Sequence, residues 1–222
     1  MFQTYSFVHV EFLALAALWT AGLAAIALAG GTLGGLLIAT LRVARTRALR
    51  LAAIWFITIM QGTPLLVQLF LAYFGAAFAG FDVPPLTAAA VAFTLYASAF
   101  FGDIWRGAIE GVPRGQWEAA GALGLGRLAA LRLVIIPQAI RPAIPPTVGF
   151  TVQLVKNTAL ASIIGFRELT RAGQIVSNAT FQPLAVFLTV AAFYFAICYP
   201  ISLLSRRLEV RFGRGHVEPS LI

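Results

Sequence analysis

Charged residues are scarce in this sequence of 222 residues: Asp, Glu, Lys and Arg make up 11% of it, while 60% is hydrophobic. Soluble domains carry roughly 25% charged residues, so a buried core alone does not explain the deficit. Apolar stretches long enough to cross ~30 Å of hydrocarbon at ~1.5 Å per residue recur along the chain. The sequence therefore predicts a polytopic membrane protein, an all-α bundle of transmembrane helices.

The sequence also lacks the motifs of disulfide-rich, catalytic and metal-binding proteins. The single Cys198 lies inside an apolar run, so we expect no disulfide framework. No His-Glu-x-x-His motif, aspartate pair or nucleophile elbow is present, and His9 and His216 lie in terminal segments. We expect no catalytic residue, no metal site and no bound cofactor. Because no Lys or Arg precedes the first apolar segment, that segment lacks a signal peptide's basic region and is expected to be retained as a span.

The charge that is present is mostly basic, with a net charge of +8. Arginines follow the first apolar run, surround the long middle polar region and fill the tail: Arg42, Arg45, Arg47, Arg50, Arg106, Arg114, Arg127, Arg132, Arg141, Arg206, Arg207, Arg211 and Arg214. Clusters that flank spans are typical of cytoplasmic loops. This placement argues against a nucleic-acid partner, which a basic chain could otherwise suggest.

Five apolar segments are predicted as spans, at about 10–41, 51–79, 86–109, from Pro146 to about 164, and 183–204. Gly30, Gly31, Gly34 and Gly35 would let the first helix approach a neighbour closely. Placing the arginine clusters inside puts the N-terminus outside and the C-terminus in the cytoplasm. Of the 16 basic residues, only Arg167 and Arg171 then lie outside, and Lys156 lies within a span.

The outer segment 165–182 carries Leu169, Ala172, Val176 and Ala179 at helical spacing, with Arg167, Glu168, Arg171 and Gln174 off that stripe. The pattern predicts a small interfacial helix. It is also compatible with an outer gate or with a contact surface for an external partner.

The longest polar stretch, 111–146, lies between the third and fourth spans. Ala119 and Ala120 favour a helix, Gly124 and Gly126 can end it, and Pro137 is expected to stop a second helical run. The stretch therefore predicts a helix, a tight turn and a second helix on the cytoplasmic side. It could be a simple amphipathic connector, with Glu118 paired to Arg114 at i,i+4.

A family resemblance makes this stretch more specific. Glu118-Ala119-Ala120, Gly124 and Val134-Ile135-Ile136-Pro137 resemble the loop motif of ABC-importer permeases, with Val134 and Ile136 as conservative departures. Five further motifs resemble the polar amino-acid subfamily (histidine, glutamate/glutamine and arginine permeases) in order: Gly62-Thr63-Pro64-Leu65-Leu66, Arg106-Gly107-Ala108, Pro137-Gln138-Ala139, Leu154-Val155-Lys156-Asn157-Thr158 and Glu168-Leu169-Thr170. The resemblance runs from about residue 10 to residue 212.

This resemblance implies one permease domain over 1–222, with 111–146 as a coupling loop that seats in a cleft of an ATPase subunit. Glu118 would be its polar contact, beside Ala119 and Ala120, and Gly124 its turn. The chain has no Gly-x-x-x-x-Gly-Lys-Ser/Thr loop, so it cannot bind ATP by that device. It would be no enzyme itself; a separate ATPase dimer would use ATP and Mg. The implied setting is a bacterial inner membrane, with a second permease copy or a related permease and an extracytoplasmic amino-acid-binding protein.

Polar residues inside the spans are costly and tend to be functional. Lys156 lies roughly 20 Å into the fourth span by the helical rise, with Gln153, Asn157, Thr158 and Ser162 nearby. Gln153 and Asn157 share one helix face at i,i+4. These residues are predicted to line the substrate pathway or, alternatively, to form a structural network between spans.

Spans two and three add further candidates for the pathway. Gln61-Gly62-Thr63-Pro64 lies near the midplane, where Pro64 breaks the hydrogen-bond ladder; this could also be a mere packing kink. Tyr96 and Ser98 lie near mid-depth, and Asp103 could instead form an ion pair with Arg106. The family usually has Arg at the Gln61 position and Glu at the Asp103 position. A zwitterionic amino acid needs hydrogen-bond donors and acceptors with little net charge, and Gln61, Thr63, Gln153, Lys156 and Asn157 could provide these.

Two other classes of function fit the sequence less well. A secondary amino-acid transporter usually has internal repeats, and none is found here. A non-transporting structural membrane subunit would not need the Glu118 loop.

Overall fold

The computed structural model describes residues 4–44 and 46–213. Arg45, Arg214 and His216, which the sequence places in basic and terminal segments, lie outside the described residues. Every regular element in the described part of the chain is helical, which confirms the all-α prediction. In order, the helices are α1 (Phe7–Arg42), α2 (Arg47–Gly62), α3 (Leu65–Phe78), α4 (Pro85–Glu110), α5 (Arg114–Ala122), α6 (Arg127–Ser162), α7 (Leu169–Thr180) and α8 (Pro183–Gly213).

Within the described residues, four helices are long and apolar enough to cross a membrane: α1, α4, α6 and α8. The pair α2 and α3 passes the same test together but is bent by 102° at a short break. Thr63 and Pro64 occupy that break, both with extended backbone. The fold therefore has four spans, or five if the bent pair is one span, which fits the five apolar segments of the sequence.

Helix α6 corrects the prediction for the middle of the chain. The helix that contains the fourth span begins at Arg127, before the predicted start of the span after Pro146, and the predicted stop at Pro137 is wrong. A π-helical turn over Leu131–Ile135 immediately precedes Pro137, which then lies in the first turn of the following α-helical segment. The helix continues through Pro137 and through Pro142, Pro145 and Pro146, although each of them lacks the N–H of a helical hydrogen bond.

Helices α1 and α4 pack along a seam of small residues. The predicted close approach at the glycines of α1 is confirmed, because a Cβ on Gly30 would lie 2.7 Å from Cγ2 of Thr94. A Cβ on Gly35 would lie 3.2 Å from the amide nitrogen of Gly102 in α4. Side chains larger than hydrogen would therefore push the two helices apart.

Helix α7 lies where α1 and α8 meet, at the opposite end of α1 from Arg42. Leu169, Ala172 and Val176, three members of the predicted stripe, are buried against Leu13 of α1 and Val186 of α8. The predicted helix in 165–182 is thus confirmed.

Candidate functional site

The polar hairpin formed by α5 and the start of α6 has the predicted helix–turn–helix shape. Pro113 precedes α5, whose last turn closes when the Leu125 amide donates to the Ala120 carbonyl at 3.0 Å. Gly124 has φ +77°, the left-handed conformation that favours glycine. Gly126, with φ −64°, then starts the next helical turn.

Side chains of α5 divide between an anchored face and an open face. Ala120 is only 2% exposed, and Trp117 packs against Val112, Ile135 and Ala139. The Gln138 side-chain amide also donates to Oε1 of Gln116 at 3.2 Å. These contacts fix α5 to α6.

Glu118 lies on the open face and is exposed, as is Ala119. Together with Arg114, Trp117 and Arg127, the Glu118 carboxylate lines an open cavity of about 400 Å³. Within residues 4–44 and 46–213, no ion pair joins Glu118 to Arg114, so the i,i+4 pairing considered from sequence is not formed. The carboxylate is therefore available to a partner.

At the break between α2 and α3, a residue that the sequence did not single out provides the hydrogen bonds. Nε2 of Gln68 donates to the Met60 carbonyl at 2.7 Å and to the carbonyl and hydroxyl of Thr63 at 3.1 and 2.9 Å. It thereby satisfies acceptors that the break leaves without helical donors. Gln61, Gly62, Thr63 and Pro64 are themselves exposed.

The three candidates on α4 have different surroundings. Ser98 is buried against α1 and donates to the Thr94 carbonyl at 2.7 Å. Oδ1 of Asp103 accepts from Nε and Nη2 of Arg106 at 3.0 and 2.9 Å, so the predicted intrahelical ion pair is formed. Tyr96 packs on the rings of Phe100 and Phe150.

On α6, the shared face of Gln153 and Asn157 is confirmed, because Nε2 of Gln153 donates to Oδ1 of Asn157 at 3.2 Å. Thr158 is fully buried, and its hydroxyl donates to the Val155 carbonyl at 2.6 Å, where the helix tightens to 3₁₀. Lys156 is exposed on the side that faces α8.

Lys156 lines a cavity of about 780 Å³ bounded by α6, α7 and α8. Thr170 and Tyr194 contribute hydroxyl groups, and their oxygens lie 3.1 Å apart. Arg206 adds a further hydrogen-bond donor along α8, whereas the Ser202 hydroxyl already donates to the Cys198 carbonyl at 2.9 Å. The cavity therefore combines cationic and hydroxyl groups with apolar walls. Among the described residues, no hydrogen bond joins Gln61 or Thr63 to this group.

Glu168 lies next to that cavity, and its burial was not predicted from the sequence. Its side chain is 0% exposed, and its carboxylate accepts from the backbone amides of Thr170 and Arg171 at 2.9 and 2.8 Å and from the Tyr194 hydroxyl at 2.8 Å. Burial raises the pKa of Glu168, and these hydrogen bonds partly oppose the rise. Its position directly before the predicted helix could have indicated this role, because acidic side chains at that position cap helices.

Comparison with known proteins gives a consistent result. Residues 31–214 match the family described as binding-protein-dependent transport system inner membrane component. The probable amino-acid ABC transporter permease protein YckA of Bacillus subtilis (strain 168) is 34% identical over 195 residues, covering 88% of this chain and 86% of that protein. The glutamine transport system permease protein GlnP of Escherichia coli (strain K12) is 36% identical over 194 residues, covering 86% of this chain and 89% of that protein.

Solved structures agree with these sequence matches. The crystal structure of an amino acid ABC transporter with histidines superposes with a TM-score of 0.87 at 34% identity, covering 94% of this chain and 100% of that chain. An inward-facing structure of the MetNI methionine ABC transporter has a TM-score of 0.75 at 22% identity, covering 90% of this chain and 96% of that chain. The second match is a likeness of fold alone.

Proposed function

Because the chain belongs to the family of binding-protein-dependent transport system inner membrane components, we propose that it forms, as one half of a dimer, the translocation pathway of an amino-acid importer. The chain is a permease subunit of an amino-acid ABC transporter of the bacterial inner membrane, as its relatives are. The alternatives of a secondary transporter and of a structural subunit are not favoured.

The observation that supports coupling to a separate ATPase is the division of α5 into an anchored and an open face. Glu118 and Ala119 are exposed, while Ala120 and Trp117 hold the hairpin against α6. A partner bound to the open face of α5 would therefore move α5 and α6 together. In this proposal ATP and Mg are used by the partner, and residues 111–146 contain the coupling element.

The polar residues within the spans support a dimer. Gln61, Thr63, Gln153 and Lys156 are all exposed on the single chain. A charged side chain in the bilayer centre costs roughly 2.5–3.5 kcal/mol on insertion scales. A second permease, either the same chain or a related one, would cover these residues and enclose a polar route.

The cavity beside Lys156 supports an amino acid as the transported molecule. The Lys156 ammonium is a donor for a substrate carboxylate, whereas the Tyr194 hydroxyl already donates to Glu168 and the Thr170 hydroxyl to the Tyr194 oxygen. In the proposed pathway Lys156 acts with residues of α2, α3, α4 and α6: Gln61, Gly62, Thr63, Pro64, Tyr96, Asp103, Gln153 and Asn157. Ser98 and Thr158 are buried, and their hydroxyls donate to backbone carbonyls, so we do not place them in the pathway. An extracytoplasmic binding protein would deliver the amino acid at the end of the molecule that carries α7.

Reconstitution tests the function directly. The chain would be placed in vesicles with a candidate ATPase and a candidate extracytoplasmic binding protein, and uptake would be measured for a panel of amino acids. We expect uptake of at least one amino acid that requires Mg-ATP and the binding protein. Uptake driven by an ion gradient without ATP would contradict the proposal.

Glu118→Lys tests the coupling role separately. We expect membrane insertion to be unchanged, while ATPase co-purification and ATP-driven uptake are lost. Glu209→Lys is the matched control, because Glu209 is an exposed acid at the last part of α8. Normal ATPase co-purification and uptake in the Glu118 variant would disprove the coupling role.

A further inference from the structure

A third polar cavity, of about 470 Å³, lies where the arginine-bearing ends of the helices converge. Its walls come from α1, α2, α4, α5 and the start of α6. Four arginines line it, together with Glu110 and Trp117: Arg42, Arg50, Arg114 and Arg127. Residues distant in the sequence thus bring several positive charges to one place.

These positive charges are not neutralised within the chain. Both ion pairs found in the described part of the chain belong to Arg106, which binds Asp103 and Glu110. Glu110 is therefore already engaged, and no described acid pairs with the four arginines. Nε of Arg42 is buried without a hydrogen-bond partner, and Nη2 of Arg127 reaches only the Val43 carbonyl, at 3.4 Å. A buried donor without a partner is unfavourable, so an anion would stabilise this cavity.

An apolar groove of about 370 Å³ continues from the arginine cavity. The two share Val43 and Ile109, and the groove then runs between α1, α4 and α6 along side chains such as Leu36, Ile140 and Ala143. These helices are candidate spans, so the groove extends from the cationic end of the bundle into its apolar depth.

We propose that the arginine cavity and the groove together bind one anionic phospholipid, with its phosphate on Arg42 and Arg50 and an acyl chain in the groove. Basic pockets between transmembrane helices attract such headgroups. A free phosphate ion would leave the groove unused, and an uncharged lipid would leave the arginines without an anion. Arg42 and Arg50 lie on α1 and α2, outside the hairpin assigned to the ATPase, so the lipid site can be tested separately from coupling.

Binding would be measured on the full chain in an uncharged detergent, by native mass spectrometry with added lipid. We expect dioleoylphosphatidylglycerol to bind at least about tenfold more tightly than dioleoylphosphatidylcholine, because only the first carries net charge. The double variant Arg42→Gln/Arg50→Gln should bind phosphatidylglycerol roughly 30-fold more weakly, at about 1 kcal/mol per arginine. The matched control is Arg132→Gln/Arg207→Gln, two exposed arginines that line neither the cavity nor the groove.

A second variant tests the groove without changing any charge. Thr40 is exposed and lines the groove, so Thr40→Trp should occupy the acyl-chain site and weaken phosphatidylglycerol binding. Leu18→Trp, on the same helix but outside the groove, should bind like the wild type. This variant decides the question if the arginine variant fails to fold.

Several results would overturn the proposal. Equal binding of the two lipids, or unchanged binding in the folded arginine variant or in Thr40→Trp, would exclude the site. Full competition by glycerol phosphate at the lipid's own concentration would indicate an anion site that does not use the groove. If Arg42→Gln/Arg50→Gln lost ATPase co-purification while it kept lipid binding, the arginines would instead dock a protein.

Discussion

The hydroxyl of Tyr194 donates a 2.8 Å hydrogen bond to the fully buried carboxylate of Glu168. Glu168 is the N-cap of α7 and Tyr194 lies within α8, so this bond joins α7 to a candidate span. The same hydroxyl lies 3.1 Å from that of Thr170 in the cavity beside Lys156. Any ligand that reorients Tyr194 from within the cavity would therefore alter the start of α7.

Tyr194→Phe should destabilise the protein. The variant removes one of three donors to a buried carboxylate, and we expect the free energy of unfolding to fall by about 1.5–3 kcal/mol. Thermal unfolding in detergent measures the change. Tyr199→Phe is the control, because the Tyr199 hydroxyl has no hydrogen-bond partner among the described residues. An unfolding midpoint equal to that of the control would show that the bond does not stabilise the fold.

Glu168 should make stability depend on pH. Since its pKa is raised in the folded state, the folded protein binds this proton more tightly than the unfolded chain does. The stabilisation is complete below the ordinary value of 4.5 and is lost as pH rises through the raised pKa. Glu168→Gln should therefore flatten the pH profile of the unfolding temperature over that range. Glu209→Gln, at an exposed position, should leave the profile as it is; equal slopes in wild type and Glu168→Gln would contradict the assignment.

Two glycines of the hairpin offer a matched pair of variants. Gly124→Ala places a side chain at φ +77°, which costs about 1–2 kcal/mol. Gly126→Ala keeps an ordinary φ of −64° and enters open space. We expect the first variant to lower ATP-driven uptake per unit of ATP hydrolysed, while the second does not. If both lowered it equally, the left-handed turn would not be the cause.

Substitutions of Gln68 and Gln61 should affect different properties, stability for Gln68 and uptake for Gln61. Gln68→Leu removes all three hydrogen bonds at the break between α2 and α3, so we expect a loss of about 1–3 kcal/mol in stability. Gln61→Leu changes an exposed side chain, so the unfolding temperature should hold while uptake changes. Thermal unfolding and uptake assays on both variants test this prediction. A Gln68→Leu protein as stable as the wild type would contradict it.

Lys156→Met tests the proposed pathway. The variant keeps the length of the side chain but removes its charge, so we expect reduced uptake and altered preference across a panel of amino acids. Lys156→Arg, which keeps the charge, should retain most of the activity. An unaltered preference in Lys156→Met would place this residue outside the pathway.

Much of the fold could be predicted from composition and charge. The bounds of α4 agree with the third apolar segment to within a residue at each end. A long apolar run between polar flanks defines both ends of its helix. The continuity of α6 was missed because its prolines suggest a stop. The π-helical turn over Leu131–Ile135, just before Pro137, was not predicted from the local residue pattern.

The site was only partly predictable for a similar reason. Residue types and spacing indicated Gln153 and Asn157, because i,i+4 neighbours share a face within one helix. Tyr194 and Glu168 are 26 residues apart and come together only through the packing of α7 on α8. Gln68 is closer in sequence, but its role depends on the 102° bend that brings it over Met60 and Thr63.

The glycine seam also determines which parts of the molecule can move. At Gly30 and Gly35 no α1 side chain separates the α1 backbone from Thr94, Phe101 and Gly102 of α4. Because the packing there is this close, we expect α1 and α4 to move as one rigid unit. Conformational change is then expected at other connections: the bend at Thr63–Pro64, the contact of α5 with α6, and the Glu168–Tyr194 hydrogen bond between α7 and α8.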